Sequence, residues 1–301
     1  MILGGIDVGG TAIKARIFTG EGFLPGVSRR WETPKESYPA LIEHIAEAVE
    51  WLRIQADQSD LPIGLALAGL IDSETGESFA ANTPATGQTV VRDLTQRVGV
   101  PVPVMNDCAA FALSEAQGGA GQGARSVVGL TFGTGLGAGH WVGGKSAFRH
   151  GGDSVEIGHI GISAQLAAFH ELPGLKCGCG RTGCYEAYLS SAGLSALGRH
   201  ILGRDISHSQ IIDDPSSEEV LSIWFEVVAE ALQVLYLMLA PNIIVLGGGV
   251  SQMPDFVIRA RSALAPHVLG SLPLPKIAIS RFGNESGARG AALYAGRMSR
   301  A

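Results

Sequence analysis

Two periodicities alternate along the chain. Short apolar, β-branched runs of strand length occur at Ile2–Val8, Ile13–Phe18, Ile63–Ala68, Val102–Met105, Val127–Phe132, Leu136–Val142, Ile243–Leu246 and Ile277–Ser280. Between them, apolar positions recur at helical spacing over Tyr38–Gln55, Val90–Val98, Asp107–Gln117, Tyr185–Leu202, Ser217–Leu239, Met253–Val268 and Ser286–Met298. This alternation predicts α/β layers rather than a barrel of strands or a helical bundle. The most apolar stretch, Ala231 to Val250, is interrupted by Pro241 and Asn242 and closed by Gly247-Gly248-Gly249. It reads as helix, turn and strand, not as a membrane span.

A chain of 301 residues exceeds the size at which one hydrophobic core usually stops growing, so two domains are expected. The stretch Gly118-Gly119-Ala120-Gly121-Gln122-Gly123 is the best boundary candidate. With 46% hydrophobic and 17% charged residues, the chain has the make-up of a soluble globular protein. Its formal net charge is −6 and its basic residues are scattered, which excludes affinity built on neutralising nucleic-acid phosphates. The N-terminus shows no basic segment followed by an apolar one, and an acid arrives early at Asp7, so a cytoplasmic, reducing setting is expected. Cysteines there more often bind metal or do chemistry than form structural disulfides.

The 42 glycines cluster at strand ends, where a backbone approaches a ligand or turns sharply. In Asp7-Val8-Gly9-Gly10-Thr11, two glycines permit a tight turn with exposed N–H groups and Thr11 adds a hydroxyl, a nest that suits phosphate oxygens. Asp7 beside it is placed to hold Mg²⁺ through water. The pattern has a weak echo in Phe132-Gly133-Thr134-Gly135. Either alone also fits a plain β-turn, but two, each opening half of the chain, favour two phosphate loops facing each other across a cleft. Gly247-Gly248-Gly249, between a buried strand and a helix, lets a flat adenine or ribose lie against backbone; packing alone also produces such turns.

In Val102-Pro103-Val104-Met105-Asn106-Asp107, a carboxylate stands at the end of an apolar strand and the start of a helix. Asp107 has an adequate structural explanation as the helix N-cap. Its functional reading is a general base that accepts a hydroxyl proton as that oxygen attacks phosphorus. Three of the four cysteines fall in Cys177-Gly-Cys179-Gly-Arg-Thr-Gly-Cys184. Cys177 and Cys179 are too close to pair comfortably and three thiols leave one odd, so disulfides fit poorly. Three thiolates and an imidazole make a tetrahedral zinc site, with His159 and His170 both available upstream. Cys108 reads as a small buried side chain. Glu156 and His159 precede the cluster and Glu186 follows it; the glutamates are either sugar ligands or ordinary solvated residues.

Together and in this order, these motifs resemble the ROK family of sugar kinases and sugar-responsive regulators, within the actin–hexokinase superfamily. The carriers are Asp7-Val-Gly-Gly-Thr11, Asn106-Asp107, Gly133-Thr134-Gly135, Glu156-Ile-Gly-His159, Cys177-x-Cys179-Gly-x-x-Gly-Cys184-x-Glu186 and Gly247-Gly248-Gly249. The resemblance implies an α/β, two-domain actin/hexokinase-like (ribonuclease H-like) ATPase fold with a cleft between domains. These are expected over 1–117, joined by a C-terminal helix at 285–301, and over 118–284, which carries the zinc-binding loop. It implies Asp107 as base, with Asn82, Asn106, Asp107, Glu156, His159 and Glu186 at the sugar. ATP with Mg²⁺ would lie on Asp7, Gly9, Gly10, Thr11, Gly133, Thr134, Gly135, Gly247, Gly248 and Gly249. A structural Zn²⁺ would be held by His159, Cys177, Cys179 and Cys184, which favours His159 over His170. The partners implied are a small sugar and ATP, with no nucleic acid and no membrane, in a homodimer or homotetramer.

The family often has Lys directly after the first-motif Thr. Here Ala12 follows, and Lys14, two residues on, shares its strand face. Phe79-Ala-Ala-Asn82-Thr-Pro84-Ala, Phe111-Ala-Leu-Ser-Glu-Ala116 and the long spacer from His159 to Cys177 are similar to bacterial N-acetylglucosamine kinases. That implies transfer to the 6-hydroxyl of N-acetylglucosamine, ahead of glucose, then N-acetylmannosamine or fructose. Regulators of the family carry a helix-turn-helix segment ahead of the first phosphate motif, whereas six residues precede Asp7 in this acidic chain. An actin-like structural ATPase leaves the cysteine signature and Glu156-x-x-His159 unexplained.

Overall fold

The structure, a computed structural model, describes residues 1–72, 74–80, 82–147 and 154–300. In chain order, β1 (Leu3–Val8), β2 (Ala12–Thr19) and β3 (Leu24–Glu32) are followed by α1 (Tyr38–Ala56), β4 (Ile63–Leu67), β5 (Leu70–Ile71) and β6 (Ser78–Phe79). Next come α2 (Val90–Val98), β7 (Val104–Asn106), α3 (Asp107–Ala116), β8 (Ser126–Phe132), β9 (Leu136–Val142) and β10 (Lys145–Ser146). The chain continues with α4 (Ala164–Phe169), α5 (Tyr185–Leu189), α6 (Ser191–Leu202), α7 (His208–Asp213) and α8 (Glu218–Leu239). It ends with β11 (Ile243–Gly247), α9 (Phe256–Leu264), β12 (Lys276–Ile279) and α10 (Ser286–Met298).

The chain gathers into two compact units. The first comprises Met1–Arg125, Gly139–Ser154 and Arg281–Ala301; the second comprises Ser126–Ala138 and Val155–Ser280. In the first, a five-stranded sheet runs β3-β2-β1-β4-β7. Strands β1, β2 and β3 pair antiparallel, while β1, β4 and β7 run parallel, with Asp7 opposite Ala66 and Leu67 opposite Asn106. Asp7 and Asn106 therefore reach the same, carboxyl edge of the sheet. Strand β3 escapes the sequence pattern because it is an exposed edge, where Pro25 and Arg29-Arg30 are tolerated and no apolar alternation is needed.

Helix α10 lies on β1, β4 and α3 at unusually close range. A Cβ at Gly5 would run into the Ala288 carbonyl, one at Gly64 into that of Ala291, and one at Gly290 into that of Ala110. Many glycines thus serve helix-on-sheet packing inside elements, not only ligand approach at strand ends as expected. Glu115 ends this arrangement from below: fully buried, its carboxylate accepts hydrogen bonds from the Ala120, Arg281 and Phe282 N–H groups and the Ser286 hydroxyl. That network clasps part of the Gly118–Gly123 stretch and the start of α10 within the first unit.

The second five-stranded sheet has the order β10-β9-β8-β11-β12, with β8, β11 and β12 parallel and in the second unit; β9 leaves that unit at Gly139 and β10 belongs to the first. The order matches the first sheet position for position: a third strand, a second, a first, then two strands parallel to it. The sequence echo between the two glycine loops is thus accompanied by a repeat of topology. Helix α8 fills the core of the second unit, with Trp224, Phe225, Phe256 and Phe132 packed in tilted and edge-to-face pairs at centroid distances of 5.2 to 5.9 Å. Pro215–Leu239 is long and apolar enough to cross a membrane, yet 61% of its most apolar window is buried inside the protein. The Ala231 to Val250 stretch divides into the end of α8, a turn and β11, as its Pro and Asn dictate.

Candidate active site

In the first unit the site grows from the carboxyl edge of the parallel strands, where ligands of open α/β sheets bind. The β1–β2 turn is closed by the Gly9 N–H donating to the Ala12 carbonyl at 3.0 Å, which leaves Thr11 exposed at the tip. Thr33, which the sequence reading missed, holds this turn: its hydroxyl donates to the Gly9 carbonyl at 2.7 Å. Gly10 must lack a side chain, because a Cβ would stand 2.7 Å from that of Asn82. Asn82 is thereby set against the β1–β2 glycine turn, and it is exposed.

Asn106, not Asp107, is the N-cap of α3. Its Oδ1 accepts from the N–H groups of Cys108 (2.8 Å) and Ala109 (3.0 Å), and its Nδ2 donates to the Gly69 carbonyl at 2.9 Å. The correction matters chemically. Asn106 has the extended backbone a cap needs, so Asp107 becomes the first helical residue and its carboxylate is released from capping duty, accepting from the Cys108 N–H at 2.9 Å. Burial pushes the Asp107 carboxyl up from an ordinary 3.8 to about 7, and the Asp7 carboxylate pushes in the same direction. Asp7 is itself raised to about 6, mainly by burial, with Lys14 opposing the rise. Lys14 sits directly across the hairpin from Asp7. The first turn of α10 closes over the acid, so that a Cβ at Gly287 would stand 3.0 Å from the Asp7 carboxylate carbon. Two acids that burial raises to about 6 and about 7, with Asp7 adding to the rise at Asp107 and Glu285 to that at Asp7, are a donor set that a divalent cation would relieve, which fits Mg²⁺.

In the second unit, two glycine loops stand side by side at the carboxyl ends of adjacent parallel strands, Gly247 pairing with Thr131. Phe132, in the aromatic core, anchors the first of them. Gly248 has φ +83° and a Cβ there would collide with the Phe132 backbone, so its glycine is required by close approach of the strands as well as by the turn. Within the loop the Gly133 N–H donates to the Gly135 carbonyl at 3.0 Å.

The cysteines form a compact cluster. One ligand atom each from His159, Cys177, Cys179 and Cys184 lies within 4.8 Å of all the others. The sulfurs of Cys179 and Cys184 are 3.7 Å apart, and the Cys177 sulfur is 3.6 Å from His159 Nδ1. A tetrahedron of Zn–S and Zn–N bonds has edges of about 3.6 to 3.8 Å, which these two separations match, and a small contraction of the remaining ones, all within 4.8 Å, would complete it. All three cysteines are free thiols, and burial pushes Cys177 up to about 12 and Cys184 upward as well. A cation is what would hold such thiols as thiolates. A hairpin-like turn delivers them: Cys177 N–H donates to the Arg181 carbonyl at 2.9 Å, Gly180 N–H to the Cys177 carbonyl at 3.0 Å, and Gly180 and Gly183 have φ near +85°. His170 is elsewhere, paired with Glu226 at 2.7 Å, and Cys108 belongs to the other unit.

His159 Nε2 turns away from the sulfurs to Glu156, 3.6 Å distant. Glu186, in the first turn of α5, reaches the Gly133–Gly135 loop: its Oε2 accepts from the Leu136 N–H at 3.1 Å, and its Oε1 lies 3.7 Å from the Cys177 sulfur. The expected single helix Tyr185–Leu202 is broken at Ser190, whose hydroxyl caps α6 by accepting from Gly193 N–H. The break lets the Ser191 N–H donate to the Gly133 carbonyl at 2.9 Å. The Ser190-Ser191 pair was the available sequence signal for it.

The family profile described as "ROK family" matches residues 3–297. Similar curated proteins include the N-acetylgalactosamine kinase AgaK of Shewanella sp. (strain ANA-3), 35% identical over 96% of this chain and 95% of that protein. Another is the N-acetyl-D-glucosamine kinase of Mannheimia succiniciproducens, 33% identical over 97% of this chain and 98% of that one. Among solved structures, the ROK family glucokinase of Streptomyces griseus in complex with glucose and AMPPNP superposes with a TM-score of 0.81. It is 28% identical, with 99% of this chain and 100% of that one covered. The glycine loops, the Asn-Asp pair and the Cys–His cluster thus lie in a chain whose likeness to these proteins runs end to end. The chain belongs to the ROK family.

Proposed function

We propose that this chain, a sugar kinase of the ROK family, transfers the terminal phosphate of ATP to the 6-hydroxyl of N-acetylglucosamine with Asp107 as general base. The observation that carries the reading is the Asp107 carboxylate: free of the helix cap, at the carboxyl edge of the sheet, and pushed to about 7 by burial and Asp7. A base is most effective when its pKa lies near the working pH. The hydroxyl oxygen attacks phosphorus, its proton passes to Asp107, and ADP leaves. Phosphoryl transfer asks mainly for positioning and charge neutralisation. The Gly9–Thr11 and Gly133–Gly135 loops supply amide and hydroxyl donors, and Gly247–Gly249 a flat seat for adenosine. Mg²⁺ near Asp7 would supply countercharge on the phosphates.

Glu156, His159, Glu186, Asn82 and Asn106 are read as sugar ligands, although Asn106 already spends its oxygen on the α3 cap and one amide hydrogen on Gly69. Zinc on His159, Cys177, Cys179 and Cys184 is structural, because four protein ligands leave no open position. It would fix His159 through Nδ1 and leave Nε2, with Glu156, for a sugar hydroxyl. The sugar assignment rests on the N-acetyl-D-glucosamine kinases at 31–33% identity. The N-acetylgalactosamine kinase at 35% identity favours a second reading, the C4 epimer of the same substrate. Asp107→Ala tests the base: turnover should fall by roughly 10²–10⁴-fold, while calorimetry should find sugar binding largely retained. Near-normal turnover would remove Asp107 from that role.

A further inference from the structure

The Gly133–Gly135 loop is clasped at both ends by the segment that follows the cysteines. Cys184 is the N-cap residue of α5, and Glu186 is in the first turn of that helix. The Glu186 carboxylate accepts the Leu136 N–H at 3.1 Å, one residue past the loop, and the Ser191 N–H takes the Gly133 carbonyl at 2.9 Å. The fit is close: a Cβ at Gly135 would stand 2.6 Å from Glu186 Oε2, so the loop's last glycine is shaped around this carboxylate. The backbone before α5 is tied down as well, with Tyr185 N–H donating to the Ile160 carbonyl at 2.8 Å and Ile162 N–H to that of Gly183 at 2.9 Å. A metal ion that fixes Cys184 and His159 therefore fixes both strands of chain leading into α5, and with them the point from which Glu186 reaches the loop.

We propose that Glu186 is a positioning residue for nucleotide binding, and that the Cys–His cluster acts on nucleotide affinity through it. This goes beyond a role at the sugar and rests on reading Gly133–Gly135 as a phosphate loop. The test uses the zinc-loaded full chain and the non-hydrolysable analogue adenylyl imidodiphosphate, without sugar, by calorimetry and amide hydrogen exchange. Glu186→Ala should bind the analogue roughly tenfold more weakly, the effect of losing one charge-assisted hydrogen bond. It should also exchange the Leu136 amide faster. Glu186→Gln keeps an oxygen to accept that N–H and should stay within a few-fold of wild type in both measurements. Removing zinc from the wild type should weaken analogue binding, whereas removing it from Glu186→Ala should add little, because the two act along one path. If the analogue protects residues 133–136 from exchange but Glu186→Ala binds it as tightly as wild type, the phosphate-loop reading survives and the role of Glu186 is overturned. Equal weakening of wild type and Glu186→Ala on zinc removal would overturn the path from the cluster. If the analogue binds without altering exchange at 133–136, the phosphate-loop reading itself fails.

Discussion

Asp107 shows how much can turn on one residue of register. From the sequence, Asp107 reads as the residue able to cap the helix, whereas the cap is its neighbour Asn106. The choice depends on which residue keeps extended backbone, and Asn106 does. Asp107 then faces Asp7 with a pKa raised from 3.8 to about 7, chiefly by burial. As a base it acts when ionised, so kcat/KM should rise with pH through an acid limb near neutrality and level off above it; a limb near pH 4 would contradict the assignment. The stability consequence runs the other way. Between about pH 4 and 7 the folded chain keeps a proton that the unfolded chain has lost, so stability declines as pH rises through that window. Asp107→Asn, which carries no charge to bury, should therefore melt a few degrees above wild type at pH 8, with the difference vanishing near pH 4. Scanning calorimetry at the two pH values decides it. Glu115 is the residue whose role was least visible: on a helix it reads as an ordinary acid, and only the fold delivers four donors to it.

At the scale of elements, the long periodic segments were the legible ones. Helices α1, α2, α3, α8 and α10 and the apolar strands stand within a residue or two of their expected bounds, because burial alone dictates their pattern. Legibility fell where tertiary context decides: edge strand β3, the break at Ser190, and the contraction of Met253–Val268 to Phe256–Leu264. The glycines of α10 make the same point energetically. Alanine is a better helix former than glycine by about 1 kcal/mol, yet a Cβ at Gly290 would strike the Ala110 carbonyl. Overpacking of that kind costs about 1–3 kcal/mol, so Gly290→Ala should destabilise the chain in denaturant melts; a stabilised variant would show that α10 and α3 separate freely. The cysteine turn was readable from spacing, and the choice of His159 over His170 came from resemblance; the cluster's 3.6 and 3.7 Å separations agree with that choice. Purified under reducing, metal-replete conditions, the protein should carry about one zinc per chain, lost in Cys184→Ser. Metal analysis finding none in the wild type would remove zinc from the account.

For the molecule as a whole, the two sheets repeat one strand order, β3-β2-β1-β4-β7 and β10-β9-β8-β11-β12, and each places a glycine loop after its first strand. A faint sequence echo, Asp7–Thr11 against Phe132–Gly135, was the only trace of this repeat, since strand pairing depends on contacts between residues far apart in the chain. The two copies differ in what they add: an acid pair in the first, a Cys–His cluster beside the loop in the second. The sugar itself was read from resemblance, because no residue ties physically to an acetamido group. The measurement that tests the central claim most directly is ADP release with ATP and Mg²⁺ against N-acetylglucosamine, N-acetylgalactosamine, glucose, N-acetylmannosamine and fructose. The account predicts sugar-dependent turnover with the highest kcat/KM for N-acetylglucosamine; ADP release that no sugar stimulates would contradict it.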